Sequence, residues 1–219
     1  MVNLDSDRFE IENDYELIQS WFMDQGWGDG LPIVPPTPDR VERMLHGTIL
    51  NPDHIVGEIP PNYGSATVER VAINAVMDGC LPEYLPVVLA AVEAINAHAF
   101  NLCGIQATTH SCAPLVIVNG PIRESLGMNS SSGAYGPGWR SNATIGRAVR
   151  LVLLNIGGGY PGIGDMSTQG APSKYTYCVA ENEEANPWLP LHVDRGFQKN
   201  DSTVTVLDRK STRLNSSHW

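Results

Sequence analysis

The chain has 219 residues, 42% hydrophobic and 17% charged, with a formal net charge of −10 and an isoelectric point near 4.9. So acidic a composition argues against nucleic-acid binding, which needs a lysine- and arginine-rich surface, and against docking on anionic lipid. The length suits one substantial domain, no apolar stretch reaches a membrane span, and the acidic N-terminus MVNLDSDRFEIENDYELIQ has no signal-peptide core, so the expectation is a cytoplasmic protein.

Residues 14–25 (DYELIQSWFMDQ) place Leu17, Ile18, Trp21 and Phe22 on one helical face, and Gly26 ends the helix. The loop GWGDGLPIVPPTP is too rich in Gly and Pro for regular structure. Thr37-Pro38 opens a short helix over 39–45. Residues 55–59 read as a strand stopped by Pro60-Pro61. Ser65 is expected to cap a helix over 66–78, with Val68, Val71, Ala72, Ala75 and Val76 at helical spacing and Gly79 just past its end. Pro82 starts another helix to about residue 97, and the turn DGCLP joins the two into a hairpin of Ala- and Val-rich helices.

The apolar runs 104–109 and 115–118 read as strands. After a long Gly/Ser/Asn segment, Asn142 is expected to cap a helix over 143–156, ended by Gly157-Gly158-Gly159. Residues 174–180 and 204–207 read as further strands. Helices and strands interleave without an internal repeat. The expected fold is α/β or α+β: a single compact domain over 1–207, with buried Ala/Val-rich helices packed on short strands.

The stretch ATTHSC, residues 107–112, holds the first chemical candidate. In extended chain, residues two apart share a face, so the His110 imidazole can meet the Cys112 thiol and favour its thiolate. The alternative is a polar turn whose side chains satisfy local backbone. Cys80 precedes the helix that starts near Pro82, where backbone N–H groups favour a thiolate; the alternative is a small buried residue in a tight turn. A Cys80–Cys112 redox pair is one option. Cys103 and Cys178 lie in expected strands and read as packing, and no CxxC or finger-like Cys/His spacing occurs.

Asp29, between two glycines in WGDGLP, can present a carboxylate to a pocket or simply turn a corner. In YGPGWRSNATIGRA a Gly-rich loop runs into the helix at Asn142. Arg140 at that junction, with Arg147 and Arg150 beyond, suggests a seat for a carboxylate or phosphate; the alternative is a capped core helix with solvated arginines. Glu181, Glu183 and Glu184 follow a strand end, with Trp188 and His192 beyond. There Glu181 can act as acid, base or ligand, or the run can be a solvated loop.

The segments WGDGLPIVPPTPDRVERML, GCLPEYLPVVLAAVEA, THSCAPLVIVNGP, GPGWRSNATIGRAVRLVLLNIGG and KYTYCVAENEE together resemble a group of uncharacterised bacterial proteins associated with the UGSC family of thiol or selenol proteins. The resemblance covers most of residues 21–197. It implies thiol redox company and a UGSC-type redox protein as a partner. The UGSC motif itself is absent: the only Gly-Cys is Gly79-Cys80, and only Cys112 follows a serine.

The leading expectation is an enzyme acting through a thiol on a small, anionic molecule. Cys112 and His110 would react, Cys80, Asp29 and Glu181 would assist, and Arg140 and Asn142 would seat the anion. No cofactor follows from the sequence. The alternatives are a non-catalytic partner of a UGSC-type protein, and a metal-dependent lyase or hydrolase using His110, Cys112, Glu181 and His192. The tail DRKSTRLNSSH, residues 208–218, is basic and poor in apolar residues, and it resembles a translated sequencing adapter. The natural sequence is therefore expected to depart near Leu207 and to continue differently, leaving the strand 204–207 short of partners.

Overall fold

Three helices carry the centre of the molecule, and the spacing of their apolar residues explains why. In the computed structural model, which describes residues 4–208, α3 (Val68–Met77), α4 (Leu85–Asn96) and α7 (Arg140–Asn155) bury Val71, Ala72, Ala75, Val88, Val92, Ile95, Ile145, Ala148 and Val152 against one another. These residues recur every three or four positions, so each helix presents a continuous apolar stripe. Small Ala and Val side chains let the helix axes approach closely. Around them lie α1 (Tyr15–Asp24), α2 (Pro38–Leu45), α5 (Leu102–Ala107), α6 (Ile122–Ser125) and α8 (Leu191–Asp194).

The strands form two small sheets. β1 (Ile55–Ile59) and β2 (Gly64–Thr67) pair antiparallel. β3 (Pro114–Asn119) is the centre of the second sheet, with β4 (Cys178–Ala180) parallel on one side and β5 (Thr203–Asp208) antiparallel on the other. The described residues thus make a single compact mixed α/β fold of eight helices and five strands. A second apolar cluster of Phe22, Ile33, Met77, Leu151 and Leu154 ties α1 and the following loop to the back of α7. No single helix among the described residues is long and apolar enough to cross a membrane.

The end of α3 follows the expectation. Gly79 has φ +80°, the Gly79 N–H donates to the Val76 carbonyl, and the Cys80 N–H reaches back to the Ala75 carbonyl. This is the left-handed helix stop that glycine permits without strain.

Four local expectations are corrected. Residues 102–107 are helical, not a strand: Leu102, Ile105 and Gln106 are buried at spacings of three and four, a helical period hidden in a short run. Cys103 therefore lies exposed on a helix instead of packed in a strand. Ser65 is part of β2, and the Thr67 side chain caps α3 by accepting from Arg70 N–H. The helix expected from Asn142 begins at Arg140 with no side-chain cap, and Asn142 sits buried in its first turn. The strand expected over 174–180 is only three residues long. A 3-10 turn at Pro172–Lys174 precedes it, and Lys174 is drawn aside to Asp165.

β5 finds its partner within the chain, pairing with β3 along its whole length from Thr203 opposite Asn119 to Asp208 opposite Pro114. Beyond that residue, the expectation of a non-native tail falls on residues 209–219, outside the described residues.

Candidate functional site

The polar face of α7 gathers most of the charged candidates. Arg147 donates from Nε and Nη2 to both oxygens of Asp29, from Nη1 to Asp78, and again from Nη2 to the Leu31 and Pro32 carbonyls. Both carboxylates are almost sealed, with side chains 4% and 1% exposed. Burial pushes Asp78 up to about 8 against the pull of Arg147, and the charge of Asp29 adds to the rise. Burial works against the charge of Arg147 as well, but Asp29 and Asp78 outweigh it and raise its pKa.

One turn further, Arg150 pairs with Asp165 at 3.0 Å, and Lys174 reaches the same Asp165 oxygen at 2.7 Å. Burial alone would raise Asp165, but Lys174, the Ser167 N–H and Arg150 hold it below its ordinary value.

Arg140 and Asn142, the expected anion seat, are already engaged. Arg140 donates from Nε and Nη2 to the Gly79 carbonyl. The Asn142 amide accepts from Asn129 N–H and donates to the carbonyls of Asn129 and Ala134, which pins the Gly/Ser loop to α7. All three α7 arginines thus hold the protein's own oxygens.

The thiols divide differently from the expectation. Cys80 is buried beside Thr144, Arg140 and Asp78, and burial pushes its thiol up. Cys178 is buried as well, its thiol is raised by burial, and the neighbouring thiol acting on it is Cys80. Cys178 pairs in register with Val116, four residues past Cys112. Cys112 is 2% exposed, while His110 lies open to solvent. None of the four cysteines forms a disulfide.

The third region is the carboxyl end of the parallel pair. Val118 lies opposite Ala180, so Asn119 and Glu181 leave the sheet side by side. Glu181 accepts from the Asn119 amide, from Asn186 Nδ2 at 2.6 Å and from Leu191 N–H at 2.8 Å. Glu183 accepts from Asn119 Nδ2 and from Gly120 N–H at 2.7 Å, and it pairs with the Arg123 guanidinium at 3.1 Å. Arg123 also holds Glu184 at 2.8 Å, and that bond keeps Glu184 below its ordinary value. Asn119 and Arg123 organise this corner, and the sequence reading missed both. The only signal was a polar residue closing the apolar run LVIV, followed by Gly-Pro.

Topology separates these regions. Cys112 precedes β3 and Glu181 lies level with its last residue, seven positions on, or about 23 Å of extended chain. His110 and Cys112 thus lie before the start of β3, and Glu181 beside its end. Among the described residues no group of three or more His, Cys, Asp or Glu side chains is arranged to hold a metal ion.

Two cavities stand out. One of about 860 Å³ lies between the N-terminal segment and α1, α3 and α7, near Trp21, Trp27, Glu69 and Asn155. The other, about 630 Å³, lies at the carboxyl ends of β3 and β4. Its walls are Ile117, Val179, Ala180 and Leu191 from the sheet side and Ser130, Ser131 and Tyr135 from the Gly/Ser loop, and it contains Glu181. Of the residues expected to form a site, Glu181 alone lines either cavity. No family model, no curated protein and no solved structure matches the chain.

Proposed function

We propose that the protein acts on a small molecule held in the cavity at the carboxyl ends of β3 and β4, with Glu181 as its anchoring carboxylate. The observation that carries this reading is the coincidence of three features in one place. The strand ends of a parallel pair open into a concavity. A glycine- and hydroxyl-rich loop closes one side. A carboxylate, oriented by three hydrogen bonds, stands in the wall. An apolar floor with a few placed polar groups is the usual make-up of a small-molecule site.

A fragment screen followed by amide chemical shifts tests it. Binding should move the amides of residues 130–136 and 179–181 together. Hits that move only the lining of the larger cavity under the N-terminal segment would overturn the assignment.

Thiol chemistry at Cys112 is the second reading. What supports it is the turn over 108–113, which belongs to no helix or strand. Its outward movement would bring the sulfur to the surface that His110 occupies. Alkylation of Cys112 in the native chain would favour this reading.

A further inference from the structure

The charges at the strand ends do not balance. Arg123 answers Glu183 and Glu184, and Lys199 adds its charge near Glu184. Arg123 Nη1 donates to the Glu181 backbone carbonyl at 2.8 Å, but no cation pairs with the Glu181 carboxylate among the described residues: its three donors are the neutral amides of Asn119, Asn186 and Leu191.

Two further polar atoms in the same corner lack a partner. Asn119 Oδ1 and His192 Nδ1 make no hydrogen bond, although their residues are 0% and 1% exposed. Asn119 cannot be turned round to cure this, because its amide nitrogen already donates to both Glu181 and Glu183. His192 Nε2 lies 3.3 Å from the Lys199 carbonyl and its Nδ1 lies 3.9 Å from Glu183, so the ring stands between a carbonyl and a carboxylate. Both unpartnered groups flank Glu181: Asn119 bonds it directly, and His192 follows Leu191, whose N–H it holds. Buried polar atoms without partners are rare in folded proteins, and these two lie behind the cavity wall, where Glu181 is the one carboxylate of the lining.

From this corner we infer that the ligand carries a primary ammonium group, seated on Glu181, with an apolar body lying on Ile117, Val179 and Leu191. The inference rests on the proposed cavity and adds the charge class of what fills it. An ammonium supplies several N–H donors at one point and the missing positive charge, while the cavity floor is apolar enough to take an alkyl or aryl body. It also reverses the anionic ligand expected from the arginines of α7.

The test titrates the full chain with butylammonium chloride, 1-butanol and sodium butyrate, three probes of equal chain length, and follows the amides of Ser131, Val179 and Ala180. Butylammonium should bind about tenfold more tightly than butanol, the increment of one charge-assisted contact, and butyrate more weakly than either. In Glu181→Gln that preference should fall to within about twofold. Because Glu181 also orders the segment leading to α8, Ile117→Trp serves as the second variant: it fills the cavity without touching a carboxylate and should abolish binding of all three probes. Equal binding of butylammonium and butanol, or an unchanged preference in a folded Glu181→Gln protein, overturns the ammonium inference and leaves the cavity reading standing. Binding that survives Ile117→Trp, or no response from any probe, overturns both.

Discussion

Replacing Arg147 by Met should be among the most damaging single changes in this chain, and its pH dependence should reveal why. The guanidinium holds two carboxylates whose side chains are 4% and 1% exposed, together with two backbone carbonyls. Methionine fills similar space but leaves Asp29 and Asp78 buried without a cation. Breaking a buried pair on one side costs about 3–5 kcal/mol, mostly the desolvation of the charge left behind. With a urea slope of about 2.5 kcal/mol/M, the unfolding midpoint falls by roughly 1.5 M.

The loss must also grow with pH. Asp78 already titrates near 8 with Arg147 in place, and without it the folded-state value rises further above the unfolded one. A carboxyl raised in this way contributes stability below its unfolded pKa and loses it as pH climbs through the folded pKa. Urea melts at pH 5 and pH 8 should therefore show the smaller deficit at pH 5. Adding Asp78→Asn to the Arg147→Met chain should restore part of the loss, more at pH 8 than at pH 5, since the amide needs no proton to enter the pocket. A deficit below about 1 kcal/mol, or one that does not change with pH, would refute the reasoning that Arg147 neutralises this pocket.

Asp78→Asn in the otherwise native chain should gain on the wild type as pH rises from about 4 towards 8, by at most about 1.4 kcal/mol per pH unit; parallel stability curves would show that Asp78 is not held protonated. Iodoacetamide at neutral pH should label Cys103 first, because it alone of the four thiols is exposed, while Cys80, Cys112 and Cys178 should react only on unfolding; mass mapping of timed samples decides it. Gly146→Ala should lower the melting temperature, since a Cβ there would lie 2.4 Å from Thr176 Oγ1 and 2.6 Å from the Tyr177 nitrogen. Overpacking of this kind costs about 1–3 kcal/mol, and an unchanged melting temperature would mean that β4 can move away from α7.

The helices were legible in the sequence where apolar spacing was long and regular. α3, α4 and α7 lie close to the expected ranges because eight or more residues of consistent period leave one solution, and Gly79 marks its helix end by a conformation other residues resist. Six residues carry too little period to separate helix from strand, so α5 was read as extended and Cys103 was placed in a core it does not enter. Capping depended on tertiary contacts. Asn142 has the right chemistry for a cap, but the returning Gly/Ser loop offers it the backbone of Asn129 and Ala134, and the helix starts two residues earlier. Of the proposed site, Glu181 alone was legible, as a carboxylate after a strand. Its neighbour Asn119 is 62 residues away in sequence, and parallel pairing of β3 with β4 brings the two together.

The engagement of the arginines within the protein follows from composition. With 14 basic residues against 24 acidic ones, cations are scarce in this chain, and carboxylates take several of them. Arg147 holds Asp29 and Asp78, Arg123 holds Glu183 and Glu184, and Asp165 draws both Arg150 and Lys174. A guanidinium whose donors already face carboxylates cannot also seat a ligand's phosphate without abandoning a buried charge, which costs several kcal/mol. At the ends of β3 and β4 the same scarcity leaves the Glu181 carboxylate, among the described residues, held by neutral donors alone, and that is the ground on which a cationic ligand is proposed there.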